Sequence, residues 1–241
     1  MFNLVQHNNV TYYFDPKKLS VKVEDAFNIE FWRRSNLIMG SATGRGTTWF
    51  VKEQSNEFAI RHYYRGGLLG KVVRDSYLYL GMKKTRSVAE LNALEQLKKS
   101  NVNVPSPIAA KVTRHGLFYK TDIITQKIHQ SSALVDRLQR EVMSADIYQR
   151  IGQEIKKMHQ AGVNHTDLNC HNILIDSKQT VWLIDFDNCR IELGNSSWKQ
   201  SNLKRLLRSF KKEQSRKGIK FELSDWQHLL TGYGVSSLSD V

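Results

Sequence analysis

The sequence predicts an α+β protein with a small, β-rich N-terminal part and a compact, mainly helical C-terminal part. Three observations carry this. Leu37 to Met39, Thr48 to Val51, Phe58 to Arg61, Ile108 to Val112 and Leu117 to Thr125 are short β-rich runs, all before residue 126. Ile147, Ile151, Ile155 and Met158, then Leu203, Leu206, Leu207 and Phe210, recur at helical spacing after it. Ile173 to Ile175 and Val181 to Ile184 flank Asp176-Ser177-Lys178-Gln179, which is turn chemistry, so an antiparallel hairpin is expected there. At 241 residues the chain has core enough for one two-lobed domain or two small ones. The expected division is 1–126 and 127–241, crossing near Gln126-Lys127-Ile128.

Taken in order, Leu37-Ile38-Met39 leads into Gly40-Ser41-Ala42-Thr43-Gly44-Arg45-Gly46-Thr47 before a strand pattern resumes. This reads as strand, glycine loop, strand. Backbone N–H groups at Gly40, Gly44 and Gly46 can approach a phosphate because no Cβ stands in the way, although such a loop alone also fits a plain hairpin turn. After the turn at Ser55-Asn56-Glu57, period-two alternation puts Ala59 and Arg61 on one face. Thr85 to Lys99 reads as a helix with Val88, Leu91, Leu94 and Leu97 along one side, and Glu90 is the expected partner of Arg61. The plain alternative leaves both charges in solvent. Pro105 to Pro107 interrupts the chain, and the next two runs read as a hairpin turning at His115-Gly116.

From His165 to Asp187 the chain reads H-T-D-L-N-C-H-N-I-L-I-D-S-K-Q-T-V-W-L-I-D-F-D. In a hairpin, Asn172 stands where the first strand begins and Asp185 where the second finishes. A carboxamide and a carboxylate then face one space, as oxygen ligands for a hard cation should. Asp167 precedes Asn172 in a polar loop, near enough to orient an attacking hydroxyl. A base beside two metal ligands is the core equipment of phosphoryl transfer. The helix before this loop ends at Gly162, a C-terminal cap position.

Here the chain resembles the protein-kinase-like fold, whose signatures include H-R-D-x-x-x-x-N, D-F-G and the third-strand V-A-I-K. The resemblance implies a bilobal fold with Asp167 as catalytic base and Asn172 and Asp185 holding Mg²⁺. ATP would be held by Gly40, Gly44, Gly46, Ala59, Arg61 and Glu90. Arg61 departs from the usual lysine, and Lys52 and Lys71 are rival phosphate cations. Further departures point away from protein substrates: Thr166 replaces the usual arginine, Asp187 the last glycine of D-F-G, and no A-P-E follows Arg190.

With H-Y-Y-R-G-G-L-L-G-K inside an insertion from Arg65 to Arg86, then H-T-D-L-N-C-H-N and L-I-D-F-D-N-C-R, the chain resembles the 3-deoxy-D-manno-octulosonic acid (Kdo) kinases. These belong to the lipopolysaccharide kinases of Gram-negative bacteria. The resemblance implies a transferase moving the ATP γ-phosphate to the 4-hydroxyl of Kdo on Kdo-lipid A. It also implies a peripheral protein on the cytoplasmic face of the inner membrane. Arg65, Lys71 and Arg74, near a glycine turn, are candidates for the anion site of this acidic acceptor, against a packed insertion with solvated arginines.

Composition fits without deciding. The net charge of +13 points to a polyanionic partner. Lys204, Arg205, Arg208, Lys211 and Lys212 share a helix with an apolar stripe, so anionic headgroups are one such partner and a merely solvated face the alternative. No apolar run is long enough to span a bilayer and the N-terminus lacks signal-peptide character, so a cytoplasmic protein is expected. Two cysteines fit reduced thiols. The rivals are a small kinase acting on or with RNA or protein, a zinc site from His165, Cys170, His171 and Cys189, and a basic binding module without chemistry. The resemblance expects neither nucleic acid nor a protein substrate as partner.

Overall fold

The structure is a computed structural model that describes residues 2–44, 46–65, 74–192 and 197–241. The chain divides into two compact units, Met1–Asn92 with Ser106–Lys127, and Ala93–Pro105 with Ile128–Val241.

The first unit is built on an antiparallel sheet. Its strands are β1 (Asn3–His7), β2 (Val10–Phe14), β3 (Ile38–Thr43), β4 (Thr47–Glu53), β5 (Asn56–His62), β6 (Tyr77–Leu78), β7 (Pro107–His115) and β8 (Phe118–Gln126). They lie in the order β1-β2-β7-β8-β5-β4-β3, with β6 added to β8. Tight turns set this register: Gly116, at φ 59°, closes the β7–β8 hairpin where the sequence expects it. Helices α1 (Val23–Ala26) and α2 (Ile29–Arg34) precede β3, and α3 (Arg86–Lys99) follows β6. One face of the sheet buries Val51, Phe58, Ile60, Ile108 and Ile124 with Trp32 of α2, whose indole N–H donates to the Ala26 carbonyl at 3.0 Å. Val88 and Leu91 of α3 pack with Tyr63, Ala110, Tyr119 and Ile123.

One expectation needs correction. Gly40 is not part of the glycine loop; it lies within β3 at a register shift, with φ 154°. The strand continues to Thr43 because the pairing resumes past that bulge. The turn is confined to the residues around Gly44 and Gly46, where the Gly44 N–H donates to the Gly46 carbonyl at 2.9 Å. At Gly46 the chain passes close to Tyr64, so an added Cβ would force that ring to shift.

β5 ends on a histidine held between two carboxylates. His62 Nδ1 lies 2.7 Å from Asp122 Oδ1 and its Nε2 lies 3.3 Å from Asp75 Oδ2, while Lys111 and Lys120 approach the same acids. Burial lowers the imidazole pKa, but the bonds and charges of Asp122 and then Asp75 outweigh it, so the net shift is upward from 6.5. A raised folded pKa means stability that is fully present below the unfolded value and lost as pH rises through the folded one. His62→Gln should therefore lower the melting temperature most just below pH 6.5, and the gap from the parent should close as pH rises. A pH-independent gap would show that the histidine acts through packing alone.

In the second unit β9 (Ser131–Ala133) leads into α4 (Leu134–Arg140) and α5 (Ala145–Gln160). Next come β10 (Val163–Asn164), β11 (Ile173–Asp176), β12 (Val181–Leu183) and β13 (Arg190–Ile191). The helices α6 (Ser197–Lys217) and α7 (Leu223–Tyr233) follow. Its core gathers Ile147, Ile151, Ile155 and Met158 of α5, Leu203, Leu206 and Phe210 of α6, and Leu229 and Leu230 of α7. The division between units falls within α3, so Leu94 and Leu97 join this core with Val102 and Val104. α5 and α7 cross glycine on glycine. A Cβ on Gly152 would stand 2.0 Å from the Leu229 carbonyl oxygen, and one on Gly232 would stand 2.0 Å from that of Gln149. Beside this crossing His159 meets the Tyr233 hydroxyl at 2.8 Å, and burial pushes its pKa down to about 3.

Candidate active site

The second unit brings together the three residues singled out in the sequence. The β11–β12 hairpin pairs Ile173 with Leu183 and Ile175 with Val181. Its turn is tied by Asp176, whose carboxylate accepts from the Lys178 and Thr180 N–H groups, each at 2.9 Å, and from the Trp182 indole at 3.0 Å. Burial raises the Asp176 pKa, but these donors outweigh it and the net shift is downward. At the open end the Ile184 N–H donates to the Asn172 carbonyl at 3.0 Å, which sets Asp185 next to Asn172. The Asn172 side-chain amide donates to the Asp167 carbonyl at 3.0 Å, and the Asn169 amide reaches the same oxygen at 2.8 Å. Loop and hairpin are thus one bonded piece.

That geometry selects the ligating atoms. With its nitrogen committed to Asp167, Asn172 has its side-chain carbonyl oxygen left to ligate. Asp185 adopts a left-handed backbone, φ 63°, which aspartate tolerates and most residues do not. One amide oxygen and one carboxylate are a donor set suited to Mg²⁺, which takes few protein ligands and completes its shell with water and phosphate oxygens. Among the described residues no group of three or more His, Cys, Asp or Glu could hold a metal ion. Two of the suggested zinc residues have other side-chain partners: the His165 ring donates to the Ile184 carbonyl at 3.0 Å, and His171 faces Glu213 at 3.4 Å. Burial raises the Cys170 thiol pKa and lowers that of His165.

The sequence reading missed a buried amide that anchors this loop. Asn202 Oδ1 accepts from the His165 N–H at 3.1 Å, its Nδ2 donates to Asn164 Oδ1 at 2.9 Å, and the Asn164 amide donates to Glu192 at 3.0 Å. The signal was present: Trp198, Asn202, Leu206 and Phe210 recur every fourth residue, so a polar side chain sits on the apolar stripe of α6. A buried amide must find partners, and the loop backbone supplies one.

In the first unit Arg61 and Glu90 meet as expected. Arg61 Nη2 donates to both Glu90 oxygens at 2.8 Å, the Tyr63 hydroxyl donates to Oε2 at 2.5 Å, and the Arg61 guanidinium lies 4.9 Å from the Tyr63 ring centroid. Glu90 is 4 % exposed, so its charge has to be compensated here and the plain solvated reading fails. Ala59 is half-buried on the same strand face as Arg61, and Lys52 is exposed. Arg65 and Arg74 are brought close by a backbone bond, Arg65 N–H to the Arg74 carbonyl at 2.7 Å. Arg65 lies over Tyr77 with its Nε donating to the Ser76 carbonyl, while Arg74 is exposed over Tyr64. Lys71 lies outside the described residues.

Comparison with known proteins agrees with this equipment. The lipopolysaccharide kinase (Kdo/WaaP) family matches residues 29–233. A 3-deoxy-D-manno-octulosonic acid kinase of Vibrio cholerae is 52% identical over 211 residues, covering 88% of this chain and 89% of the relative. One of Photobacterium profundum is 46% identical over 226 residues, covering 94% and 95%. Among solved structures, one described as WaaP in complex with acyl carrier protein aligns with TM-score 0.60 and 16% identity over 92% of this chain and 90% of that one. That likeness speaks for a shared fold.

Proposed function

Because the chain belongs to the lipopolysaccharide kinase (Kdo/WaaP) family, we propose that it transfers the γ-phosphate of ATP to the 4-hydroxyl of Kdo on Kdo-lipid A, a step of lipopolysaccharide inner-core synthesis. The observation that carries the chemistry is the bond from Asn172 to Asp167, together with the Ile184–Asn172 backbone bond that sets Asp185 next to Asn172. In this reading Asp167 orients the acceptor hydroxyl and takes its proton as the oxygen attacks phosphorus. Asn172 and Asp185 hold Mg²⁺, which when bound neutralises charge on the phosphate oxygens. Residues 1–126 supply the phosphate contacts through Gly44, Gly46 and Arg61. Glu90 holds Arg61 in place, and Ala59 leaves room for the base. Arg65, Lys71 and Arg74 take the acidic groups of the acceptor.

A lipid-linked acceptor would be met at the cytoplasmic face of the inner membrane, which supports a peripheral location there. Among the described residues no helix is long and apolar enough to cross a membrane. α6 supports peripheral contact. It buries Trp198, Leu203, Leu206 and Phe210 and exposes Lys204, Arg205, Arg208, Lys211 and Lys212, a cation-rich strip suited to anionic headgroups.

The test is incubation with labelled ATP, Mg²⁺ and, separately, Kdo-lipid A, tRNA or a peptide pool. Label is expected in Kdo-lipid A alone. Labelling of tRNA or peptide in its place would overturn the assignment.

A further inference from the structure

The β6–β8 pair is amphipathic in an unusual sense. Tyr77 is paired with Tyr119, and both are buried against Val88 and Leu91, with their rings 5.5 Å apart. Alternation sends the next pair, Leu78 and Phe118, to the opposite face. On a solvated sheet face those positions are polar. Here they are 53% and 49% exposed, and Leu80 and Leu117 beside them are 64% and 73% exposed. The Tyr79 N–H donates to the Leu117 carbonyl at 2.9 Å, so these side chains belong to one local surface.

The rim of that surface is cationic. Lys83 and Lys84, which follow Leu80 in the chain, and His115, in register with Phe118, are exposed beside it, whereas Arg114 pairs with Tyr119 and so lies over Tyr79 on the opposite face. The nearest acids are already engaged, Asp75 with Lys120 and His62, and Asp122 with His62 and Lys111. Apolar side chains flanked by the lysines Lys83 and Lys84 match the layering of a bilayer interface, where hydrocarbon lies below anionic headgroups. A protein partner fits less well, because protein interfaces are depleted in lysine.

We infer that Leu78, Leu80, Leu117 and Phe118 form an insertion patch that seats the first unit in an anionic lipid surface. The inference rests on the membrane reading above and deepens it. Charge on α6 attracts the protein over distance, whereas this patch holds it once salt has screened that attraction.

The test is co-sedimentation of the full chain with phosphatidylglycerol-containing vesicles, without ATP or acceptor, at low salt and at ~1 M salt, where the Debye length is about 3 Å. The parent protein is expected to retain salt-resistant binding, and Leu117→Ser with Phe118→Ser to weaken it by about tenfold or more. Val142→Ser with Leu223→Ser, exposed apolar residues of the second unit, should change it by less than about twofold, because single apolar residues on a surface are ordinary. Parental binding by the Leu117/Phe118 variant, or binding of the parent abolished by salt, would overturn the proposal. So would a parent dimer, seen by sedimentation equilibrium, that the Leu117/Phe118 substitutions dissociate, since a second copy would then be the occupant. Vesicle binding is read without turnover, so failure to phosphorylate Kdo-lipid A would be a separate result.

Discussion

Asp167→Ala is expected to lower turnover by about 10²- to 10⁴-fold while leaving the melting temperature nearly unchanged. The two halves of that expectation have different origins. The loss follows from removing the carboxylate proposed to take the acceptor proton. The retained fold follows from how the loop is held: Asn172 and Asn169 both bond to the Asp167 carbonyl oxygen, which alanine keeps. The loop is also fastened from below by Asn202 on the His165 N–H, again a main-chain contact. Steady-state kcat with Kdo-lipid A, together with a thermal melt, checks both halves. Near-parental kcat would remove Asp167 from the mechanism, and a large drop in melting temperature would mean that its carboxylate is structural.

Gly152→Ala, like Gly232→Ala across the same helix crossing, is expected to be strongly destabilising to the second unit. The added Cβ would meet the Leu229 carbonyl oxygen at 2.0 Å and the Tyr233 N at 2.6 Å, both backbone atoms that no rotamer change can move. The helices must separate, which disturbs Ile151 and Ile155 against Leu229 and Leu230 and leaves cavities in that core. Overpacking of this kind costs about 3 kcal/mol. For a chain of this size that is a fall of roughly 10 °C in Tm. Gly44→Ala is the comparison, because a Cβ there meets nothing within 4 Å. Urea or thermal unfolding of the two variants should differ plainly, and equal stability would mean that α5 and α7 can part without cost.

The hairpin from Ile173 to Leu183 was legible because its information is local: β-branched runs, an Asp at the turn, and side chains that alternate. The Arg61–Glu90 pair was legible for a related reason, since strand period and helix spacing each fix a face. Gly40 was misplaced because a glycine run looks the same whether it makes a loop or a bulged strand; only the partner strand decides. Residues 3–34 went unread. β1 and β2 carry no strict alternation of burial, and α1 and α2, at 4 and 6 residues, are too short to show a helical period. Trp32 was therefore not recognised as core. Gly152 and Gly232 look like helix-weakening residues within their own segments, and their purpose exists only where two distant segments touch.

In its proposed role Asp185 meets two demands, a negative oxygen and a main-chain shape that few side chains accept. Exchange for a branched or bulky residue would confuse these, since a dead enzyme would follow from either cause. Asparagine tolerates the same φ and nearly the same outline, so Asp185→Asn varies charge while holding shape constant. The position thus offers drifting genomes a very narrow set of substitutes, and gives the bench a clean instrument for weighing what the anion alone contributes.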